Sequence, residues 1–428
     1  MKADEATGTW RKIAVKGHYR AGAATEVDDT SDFAIEGLVP RVGVSVWFGP
    51  GSTGKTQMLL WMAAHLAAPK GDRPESWLGA AIRKRGHILV VSAEDIREHI
   101  YLRLAGIGNA MKEQHPRLDV EALCNRIHVI PFLSLDDNEF PGENPRLFRD
   151  TDTGWEASDT LEGIEEFITA WNHEDRPQED RIIGVILDSA VSMAGFELTN
   201  SDATTALLFR LNRNSLRQGV FWAVIGHTPK SAEIRDGDPL NGAVERLRGS
   251  AMWSTTPRSV VELRLAGPTE NLQDLQEAFP NLGRRDIVIA NVVKSNLKDS
   301  DWKPRVLRRL SEGAYHDLTR EYPNVCRSWD PSSPSPTLRE LADRERVLVK
   351  LIRELVESKS DKTVSYTKLR SELKARSSDM PSFKDVIFDA KKDSANNPNT
   401  LAHLLRRLKA AGHIRIDQRK IEVLNVEV

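Results

Sequence analysis

The chain has 428 residues, of which 40% are hydrophobic and 29% charged, and its net charge is −2 at pH 7. This length predicts about two to three domains, and the composition is typical of a globular protein. No apolar run reaches the ~20 residues that span a bilayer, and residues 1–32 lack the apolar segment of a signal peptide. The two cysteines, Cys124 and Cys326, are too few for a disulfide framework or a zinc site. We therefore expect a cytoplasmic protein with no membrane partner.

Charge is spread unevenly along the chain. Residues 335–428 hold 20 Lys and Arg against 14 Asp and Glu, a net charge of +6, which leaves −8 for the rest. A basic segment attached to an acidic body favours contact with a polyanion. A solvated charged surface is the alternative, and the charge alone does not choose between the two.

In chain order, the first stretch that indicates chemistry is GPGSTGKT at residues 49–56. Apolar runs at residues 42–48 and 57–64 flank it, which predicts a strand, a glycine-rich loop and a helix. This spacing lets backbone N–H groups surround a phosphate, since glycine tolerates the positive φ that the loop requires. A tight glycine turn without a ligand is the alternative, but the flanking elements favour a nucleotide site. The predicted nucleotide-binding residues are Gly49, Pro50, Gly51, Ser52, Thr53, Gly54, Lys55, Thr56 and Gln57.

Two side chains of this stretch have predicted roles. Lys55 would reach the β- and γ-phosphates of the nucleotide, and Thr56 would hold Mg²⁺. The partial positive charge at the N-terminus of the following helix would add to the attraction for phosphate. The sequence therefore predicts a site for ATP and Mg²⁺.

Glu94 follows the next predicted buried strand, at residues 86–91. Ligands of open parallel sheets gather at the carboxyl ends of the strands, where a carboxylate can orient and deprotonate water. We predict that Glu94 is the general base. In the alternative interpretation, Glu94 and Asp95 only occupy the first turn of a helix at residues 96–104, where acidic side chains are common.

Two later strands also end in polar residues. The apolar run at residues 182–187 ends in Asp188, which is typical of a Walker B carboxylate that holds Mg²⁺. The run at residues 221–226 precedes His227, which would hydrogen-bond the γ-phosphate; a structural donor is the alternative. Because Glu94, Asp188 and His227 all follow predicted parallel strands, as the glycine-rich loop does, we expect one common site.

Other segments before the tail carry less information. Residues 134–159 are acidic and are predicted to form a loop, and residues 231–248 are predicted to form a longer polar loop of a kind that is usually functional. The strands predicted at residues 257–263 and 286–296 would extend the sheet in an antiparallel manner.

The C-terminal part has its own pattern, in which three amphipathic helices precede a short hairpin at residues 414–423. This is the order of a winged helix, which contacts either DNA or a protein partner. The predicted parts of the chain are a flexible arm at 1–31, an ATPase core at 32–327, a Pro/Ser-rich linker at 328–337 and this small domain at 338–428.

Several motifs between residues 32 and 296 occur in the order of one family. They are GPGSTGKT, ILVVSAED with LRLAGI, VILDSAVSM with NSDATTALLFRLNR, VIGHTPK and RGSAMWSTTPRSVVEL. Together they resemble the RepA-type AAA ATPases of the RecA superfamily, which include plasmid-encoded hexameric replicative helicases. The winged-helix-like tail and the acidic stretch at 134–159 depart from that pattern.

The resemblance implies an α/β fold, with a RecA-like P-loop core whose mainly parallel sheet is flanked by helices, plus a small α+β winged-helix-like C-terminal domain. It implies Lys55 and Thr56 at the phosphates and metal, Glu94 as the base, Asp188 as the Walker B acid and His227 as the γ-phosphate sensor. It also implies an arginine that enters the neighbouring subunit's site. Arg258 matches this position best, Arg248 is second, and Lys294 would be a second contact in trans.

The expected function is that of a Mg²⁺-dependent, ATP-hydrolysing DNA motor. It would be a ring-forming homo-oligomer, expected to be a hexamer, that acts on single-stranded or forked DNA as a replicative helicase of plasmid or mobile-element type. One alternative is an ATPase switch similar to RecA or KaiC, in which hydrolysis drives assembly. The other is a DNA-binding regulator whose ATPase only sets its oligomeric state.

Overall fold

The computed structural model describes residues 32–136, 138–140, 145–228, 247, 249–267, 270–323, 325–326, 343–357, 363–376, 401–410, 414–417 and 420–423. The predicted N-terminal arm, the linker and most of the polar loop at 231–248 lie outside these residues.

Strands and short or long helices alternate through most of the described chain. The strands are β1 (Phe33–Ile35), β2 (Val39–Pro40), β3 (Gly43–Phe48), β4 (Ser76–Trp77), β5 (Ala80–Ala81), β6 (His87–Ser92), β7 (Ile127–Pro131), β8 (Phe148–Thr151), β9 (Gly154–Ala157), β10 (Ile182–Asp188), β11 (Phe221–Ile225), β12 (Ser259–Leu265), β13 (Ile287–Ser295), β14 (Arg305–Arg309), β15 (Tyr315–Asp317), β16 (Val364–Ser365), β17 (Ile414–Asp417) and β18 (Lys420–Val423). The α-helices are α1 (Lys55–Ala67), α2 (Arg97–Gln114), α3 (Val120–Cys124), α4 (Asp159–Trp171), α5 (Ala190–Met193), α6 (Ser201–Gln218), α7 (Met252–Thr255), α8 (Gln273–Ala278), α9 (Asp343–Glu357), α10 (Tyr366–Arg376) and α11 (Leu401–Ala410).

A central sheet organises the larger part of the molecule. Within the described residues it has nine strands in the order β15-β14-β13-β12-β3-β11-β10-β6-β7. The pairs from β12 to β7 are parallel, and β13, β14 and β15 are added in antiparallel fashion. The predicted α/β class, with a mainly parallel sheet flanked by helices, is confirmed.

The direction of β12 corrects one prediction. An antiparallel extension was expected from both late strands, and this is right for β13 but wrong for β12, which pairs in parallel with β3. The chain between Ile225 and Ser259 is long enough for the crossover that a parallel neighbour requires. Strand β12 therefore begins at the same edge of the sheet as β3.

The sheet separates two apolar layers. In β3, Val44, Val46 and Phe48 pack with helices α4 and α6, whereas Trp47 packs on the other face with α1 and α2. All six residues of β3 are buried. Strands covered on both faces have continuous apolar sequences, which explains why the sequence indicated the parallel strands clearly.

The acidic stretch predicted to be a loop contains a hairpin instead. Strands β8 and β9 pair in antiparallel fashion around Gly154, whose φ is 118°. Phe148 packs in the apolar layer that contains α4 and α6. The ring centroids of Trp155 and Phe196 are 5.4 Å apart. Phe148 and Trp155 thus pack against the body from within a polar sequence, and the loop prediction was wrong for residues 148–157.

The C-terminal part has its own small core. Helices α9, α10 and α11 and the antiparallel sheet β16-β18-β17 share one apolar cluster, which includes Ile352, Leu369, Leu405 and Ile421. Within the described residues, no helix combines the length and the apolar content that a membrane crossing requires.

Gly184 of β10 offers a test of the packing between strands. A Cβ added there would lie 2.1 Å from a ring carbon of Phe221, whereas a Cβ at Gly163 of α4 would meet nothing within 4 Å. We expect Gly184→Ala to lower the free energy of unfolding by about 1–3 kcal/mol, because the ring must move. Gly163→Ala should raise it by up to ~1 kcal/mol, because alanine favours the helix. Chemical denaturation measures both, and equal effects would contradict the packing described here.

Candidate active site

The glycine-rich loop at residues 49–54 joins β3 to α1. Ser52 and Gly54 have left-handed backbone, with φ values of 63° and 85°. A side chain does not fit at Gly49, because a Cβ there would lie 1.9 Å from the carbonyl oxygen of Leu263 in β12. The loop is thus shaped by its own backbone and by close packing against the neighbouring strand.

Lys55 lies at the first position of α1 and is 7% exposed. Its Nζ donates hydrogen bonds to the carbonyl oxygens of Gly49 at 3.0 Å and Pro50 at 2.9 Å. Burial lowers the pKa of Lys55, and the charges of Glu94 and Asp188 oppose this effect. The ammonium group is therefore held inside the loop that would surround a phosphate.

Asp188 ends β10 beside the start of α1. The hydroxyl of Thr56 donates to Asp188 Oδ2 at 2.9 Å. The other oxygen, Oδ1, is buried and has no hydrogen-bond partner among the described residues. Burial, followed by the charge of Glu94, raises the pKa of Asp188 to about 7.

The two oxygen-bearing side chains fit a magnesium ion. Carboxylate and hydroxyl oxygens are the ligands that this cation prefers, and it usually binds through only one or two carboxylates. An unpaired buried carboxylate oxygen is costly and calls for a partner, which a cation would provide. Thr56 and Asp188 therefore form a candidate Mg²⁺ site next to the phosphate loop.

Glu94 follows β6, and its carboxylate is partly exposed. Its Oε1 accepts hydrogen bonds from the hydroxyls of Ser189 and of Ser192, the latter at 2.8 Å. His227 Nε2 lies 3.8 Å from the same oxygen, which is longer than a direct hydrogen bond. The His227 ring, and after it the serine hydroxyls, lower the pKa of Glu94 to about 2, although burial opposes this shift. Glu94 is therefore an ionised carboxylate, the form needed to accept a proton from water.

Asp95, the neighbouring acid, has a different surrounding. Arg103 of α2 binds both of its carboxylate oxygens, with Nη2 at 3.3 Å from Oδ1. The backbone N–H groups of Glu94 and Asp95 both donate to the hydroxyl of Ser92. Asp95 thus belongs to an ion pair that holds the turn after β6, which leaves Glu94 as the acid that faces the loop.

Two of the predicted trans residues, Arg258 and Lys294, lie at the opposite edge of the sheet. The N–H of Arg258 donates to the carbonyl of Val44, near the start of β3, at 2.7 Å. The phosphate loop follows the other end of β3, about 15–20 Å away at ~3.3 Å per residue. Lys294 lies near the end of β13, and its Nζ donates to the carbonyls of Thr255, at 3.1 Å, and Pro257. Arg258 and Lys294 are therefore remote from the phosphate loop of their own chain, and Arg248 lies outside the described residues.

Sequence analysis did not predict four residues that contact Glu94 or the phosphate loop. Ser189 and Ser192 bind Glu94, and their position directly after the predicted Walker B strand was an available signal. Arg309 donates to the carbonyl of Ser52 at 2.8 Å, and Tyr315 donates to that of Gly54 at 3.1 Å. The sequence has no local signal for this pair, which lies more than 250 residues beyond the loop.

The side chain of Gln57 takes part in the same contact. This residue was predicted to bind nucleotide, and its amide nitrogen donates to the carbonyl of Gly313, in the turn between Arg309 and Tyr315.

The fold and the site together define a P-loop ATPase. A glycine-rich loop precedes α1, an acid ends a strand that is separated from β3 by β11, and an ionised carboxylate lies beside that acid. Residues 20–233 match the family described as AAA domain. This match covers half of the chain, and the chain belongs to that family.

Two further comparisons complete these findings. A comparison with curated proteins finds no match. Among solved structures, the chain is similar to one titled "ATPase Domain of G40P", with 14% identity and a TM-score of 0.42. The similarity covers 74% of this chain and 98% of that chain.

Alanine at the first and third positions of the loop should have different effects. Gly49→Ala collides with the Leu263 carbonyl, whereas a Cβ at Gly51 meets nothing within 4 Å. A clash of this kind costs about 1–3 kcal/mol, so ATP affinity should fall by about fivefold or more. Gly51→Ala should bind ATP within about threefold of the parent, a difference below ~1 kcal/mol. Titration with a fluorescent ATP analogue measures both, and an unaffected Gly49→Ala would show that the loop conformation differs from the one described.

Proposed function

We propose that this protein is a Mg²⁺-dependent, ATP-hydrolysing DNA motor that works as a ring-forming homo-oligomer, a replicative helicase of plasmid or mobile-element type. The observation that carries the proposal is the meeting of Lys55, Glu94, Asp188 and His227 at one edge of the sheet, with Arg258 at the other edge. Lys55, Glu94, Asp188 and His227 supply the groups that hydrolysis needs. Arg258 is remote from the phosphate loop of its own chain, as a residue that serves a neighbouring subunit must be.

In the proposed reaction, water attacks the γ-phosphoryl group in line with the departing ADP. Lys55 binds the β- and γ-phosphates, and Glu94 orients the water and takes its proton. Thr56 and Asp188 would hold Mg²⁺, which neutralises charge on the phosphates when bound. His227, which follows β11 and lies near Glu94, would contact the γ-phosphate and respond to its loss.

Arg258 would complete the site of the next subunit. Its guanidinium would offset the charge that develops on the γ-phosphoryl group, with Lys294 as a second contact. Burial and the neighbouring Arg258 lower the pKa of Lys294 to about 8. Two cations placed this close favour an anionic partner, and a neighbour's nucleotide would provide one. Arg248 stands as the second candidate for the arginine.

The C-terminal domain, at residues 338–428, is proposed to be a winged helix that follows the core at 32–327 and the linker at 328–337. Its helices and antiparallel strands occur in the order that this fold requires. The net charge of +6 over residues 335–428 supports contact with single-stranded or forked DNA. Protein docking is the second role for this domain.

Glu94→Gln should separate nucleotide binding from hydrolysis. The amide keeps the shape of the side chain but cannot accept the proton, so kcat should fall by about 10²-fold or more while ATP still binds. Glu98→Gln, an exposed acid four residues further on, is the matched control and should leave turnover unchanged. Phosphate release measures turnover, and strand displacement is followed on a forked duplex with ATP and Mg²⁺.

Three outcomes of these assays, carried out also on Asp95→Asn and Lys55→Ala, would change the proposal. Near-normal turnover in Glu94→Gln, together with a loss in Asp95→Asn, would make Asp95 the base. Hydrolysis by the parent without strand displacement would favour the switch or the regulator over a helicase. Unchanged hydrolysis in Lys55→Ala would contradict the nucleotide site itself.

Arg258→Ala should bind ATP normally but hydrolyse it slowly. An arginine supplied in trans is typically worth ~10³–10⁵ in rate. Lys55→Ala subunits have an inactive phosphate loop with an intact Arg258, and Arg258→Ala subunits have the converse. Mixed oligomers of the two should regain activity, because some interfaces then pair an intact loop with an intact arginine.

The interpretation of the mixing experiment depends on demonstrated co-assembly. If mixed oligomers form without regaining activity, and Arg248→Ala shows the behaviour expected of Arg258→Ala, the arginine in trans is Arg248. If neither arginine affects the rate, the site is completed within one subunit.

A further inference from the structure

The edge hairpin, defined as residues 305–317, provides the two outermost strands on one lateral side of the central sheet, and it contacts the phosphate loop. It consists of β14, a turn and β15, and three strands lie between β15 and β3 in the strand order. Its turn nevertheless contacts α1, because the carbonyl of Gly313 accepts a hydrogen bond from Gln57. Gly313 has a φ of 85°, and a Cβ there would collide with the Gln57 amide. A glycine thus occupies the position where the turn contacts α1.

Two side chains of the edge hairpin bind the backbone of the loop directly. Arg309 Nη2 donates to the carbonyl oxygen of Ser52 at 2.8 Å. The hydroxyl of Tyr315 donates to the carbonyl oxygen of Gly54 at 3.1 Å. Ser52 and Gly54 are the residues of this fully described loop with left-handed backbone. Each left-handed residue therefore has its carbonyl bound by one hairpin side chain, and the carbonyl of Gly54 also accepts a hydrogen bond from the N–H of Met58 in α1 at 2.8 Å.

Left-handed backbone needs such support at Ser52. For a residue other than glycine this conformation costs roughly 1–2 kcal/mol, so an unsupported loop would tend to leave it. A loop binds phosphate when its N–H groups converge and its carbonyls point away. Donors bound to the carbonyls of Ser52 and Gly54 favour that arrangement before any ligand is present.

The hairpin is itself firmly placed. The Tyr315 ring packs 5.4 Å from Trp61 of α1 between ring centroids. A Cβ at Gly106 of α2 would lie 2.4 Å from the carbonyl oxygen of Glu312, so the turn lies close against that helix. Burial raises the pKa of Tyr315 from 10 to about 12, although Arg309 opposes this shift, so the hydroxyl is protonated at neutral pH, as an ordinary tyrosine is, and can donate.

We propose that Arg309 and Tyr315 are positioning residues, which hold the phosphate loop in its binding conformation before the nucleotide arrives. The proposal rests on the nucleotide site described above. It places the role of the two residues in the free protein, where a loop that is already ordered loses less entropy when it binds.

Tyr315→Phe is the most selective test, since it keeps the ring against Trp61 and removes only the donor. Loss of one neutral hydrogen bond should weaken ATP and ADP binding about 3- to 10-fold. KM for ATP should rise with kcat unchanged, because the loop contacts the phosphates in the ground state and the transition state alike. Arg309→Met should weaken binding about tenfold or more, since its donor is charged. Arg309→Lys should restore part of the loss.

Arg308→Met provides the matched control. Arg308 precedes Arg309 in β14, but its guanidinium lies over the ring of Phe279, 4.5 Å from the centroid. The control removes the same charge at nearly the same place without touching the loop. It should leave nucleotide affinity within about twofold of the parent, less than ~0.5 kcal/mol.

Hydrogen exchange in the nucleotide-free protein tests the positioning role separately from the proposed function. The amides of residues 51–56 should exchange about 3–10-fold faster in Tyr315→Phe than in the parent and in Arg308→Met, because one hydrogen bond no longer opposes opening of the loop. If the parent binds no nucleotide, the proposed function fails, and the exchange rates still decide the positioning role. Unchanged exchange and affinity in Tyr315→Phe would overturn the proposal. An equal effect in Arg308→Met, or an equal fall in melting temperature in all variants, would also overturn it.

Discussion

Parallel pairing of β3, β11, β10 and β6 is the constraint on which the site depends. Each of these strands leaves the sheet at the same edge, so residues that are far apart in sequence meet there. The glycine-rich loop, Glu94 and His227 each follow one of these strands, and Asp188 is the last residue of β10. If one of these strands ran in the opposite direction, its polar residue would lie at the other edge, where Arg258 is found.

This convergence has an electrostatic cost. Burial raises the pKa of Asp188 and lowers that of Lys55, so each residue is less stable in its charged form than it would be in water. Glu94 adds to the effect on Asp188, while His227 and two serine hydroxyls stabilise Glu94 itself. Charged groups gathered in this way are stabilised by a ligand that places opposite charges beside them. A triphosphate with a divalent cation offers negative charge to the lysine and positive charge to the carboxylates.

The parts that the sequence predicted correctly are those with a local cause. Buried parallel strands are apolar over their whole length, and the glycine-rich loop has a fixed spacing. The direction of β12 has no local cause, because it depends on a crossover rather than on composition. The hairpin at 148–157 depends on Phe148 and Trp155 finding partners across the fold. Arg309 could not be predicted, since its contact with Ser52 joins residues 257 positions apart.

The separation of Arg258 from the phosphate loop has a consequence for assembly. If each chain lends its arginine to the next, the two contacting surfaces of a subunit are different, and neighbours join head to tail. In an open row of such subunits, the last phosphate loop has no arginine beside it. Only closure of the row supplies every site, so the activity per subunit would report whether the assembly is a closed circle or an unfinished arc.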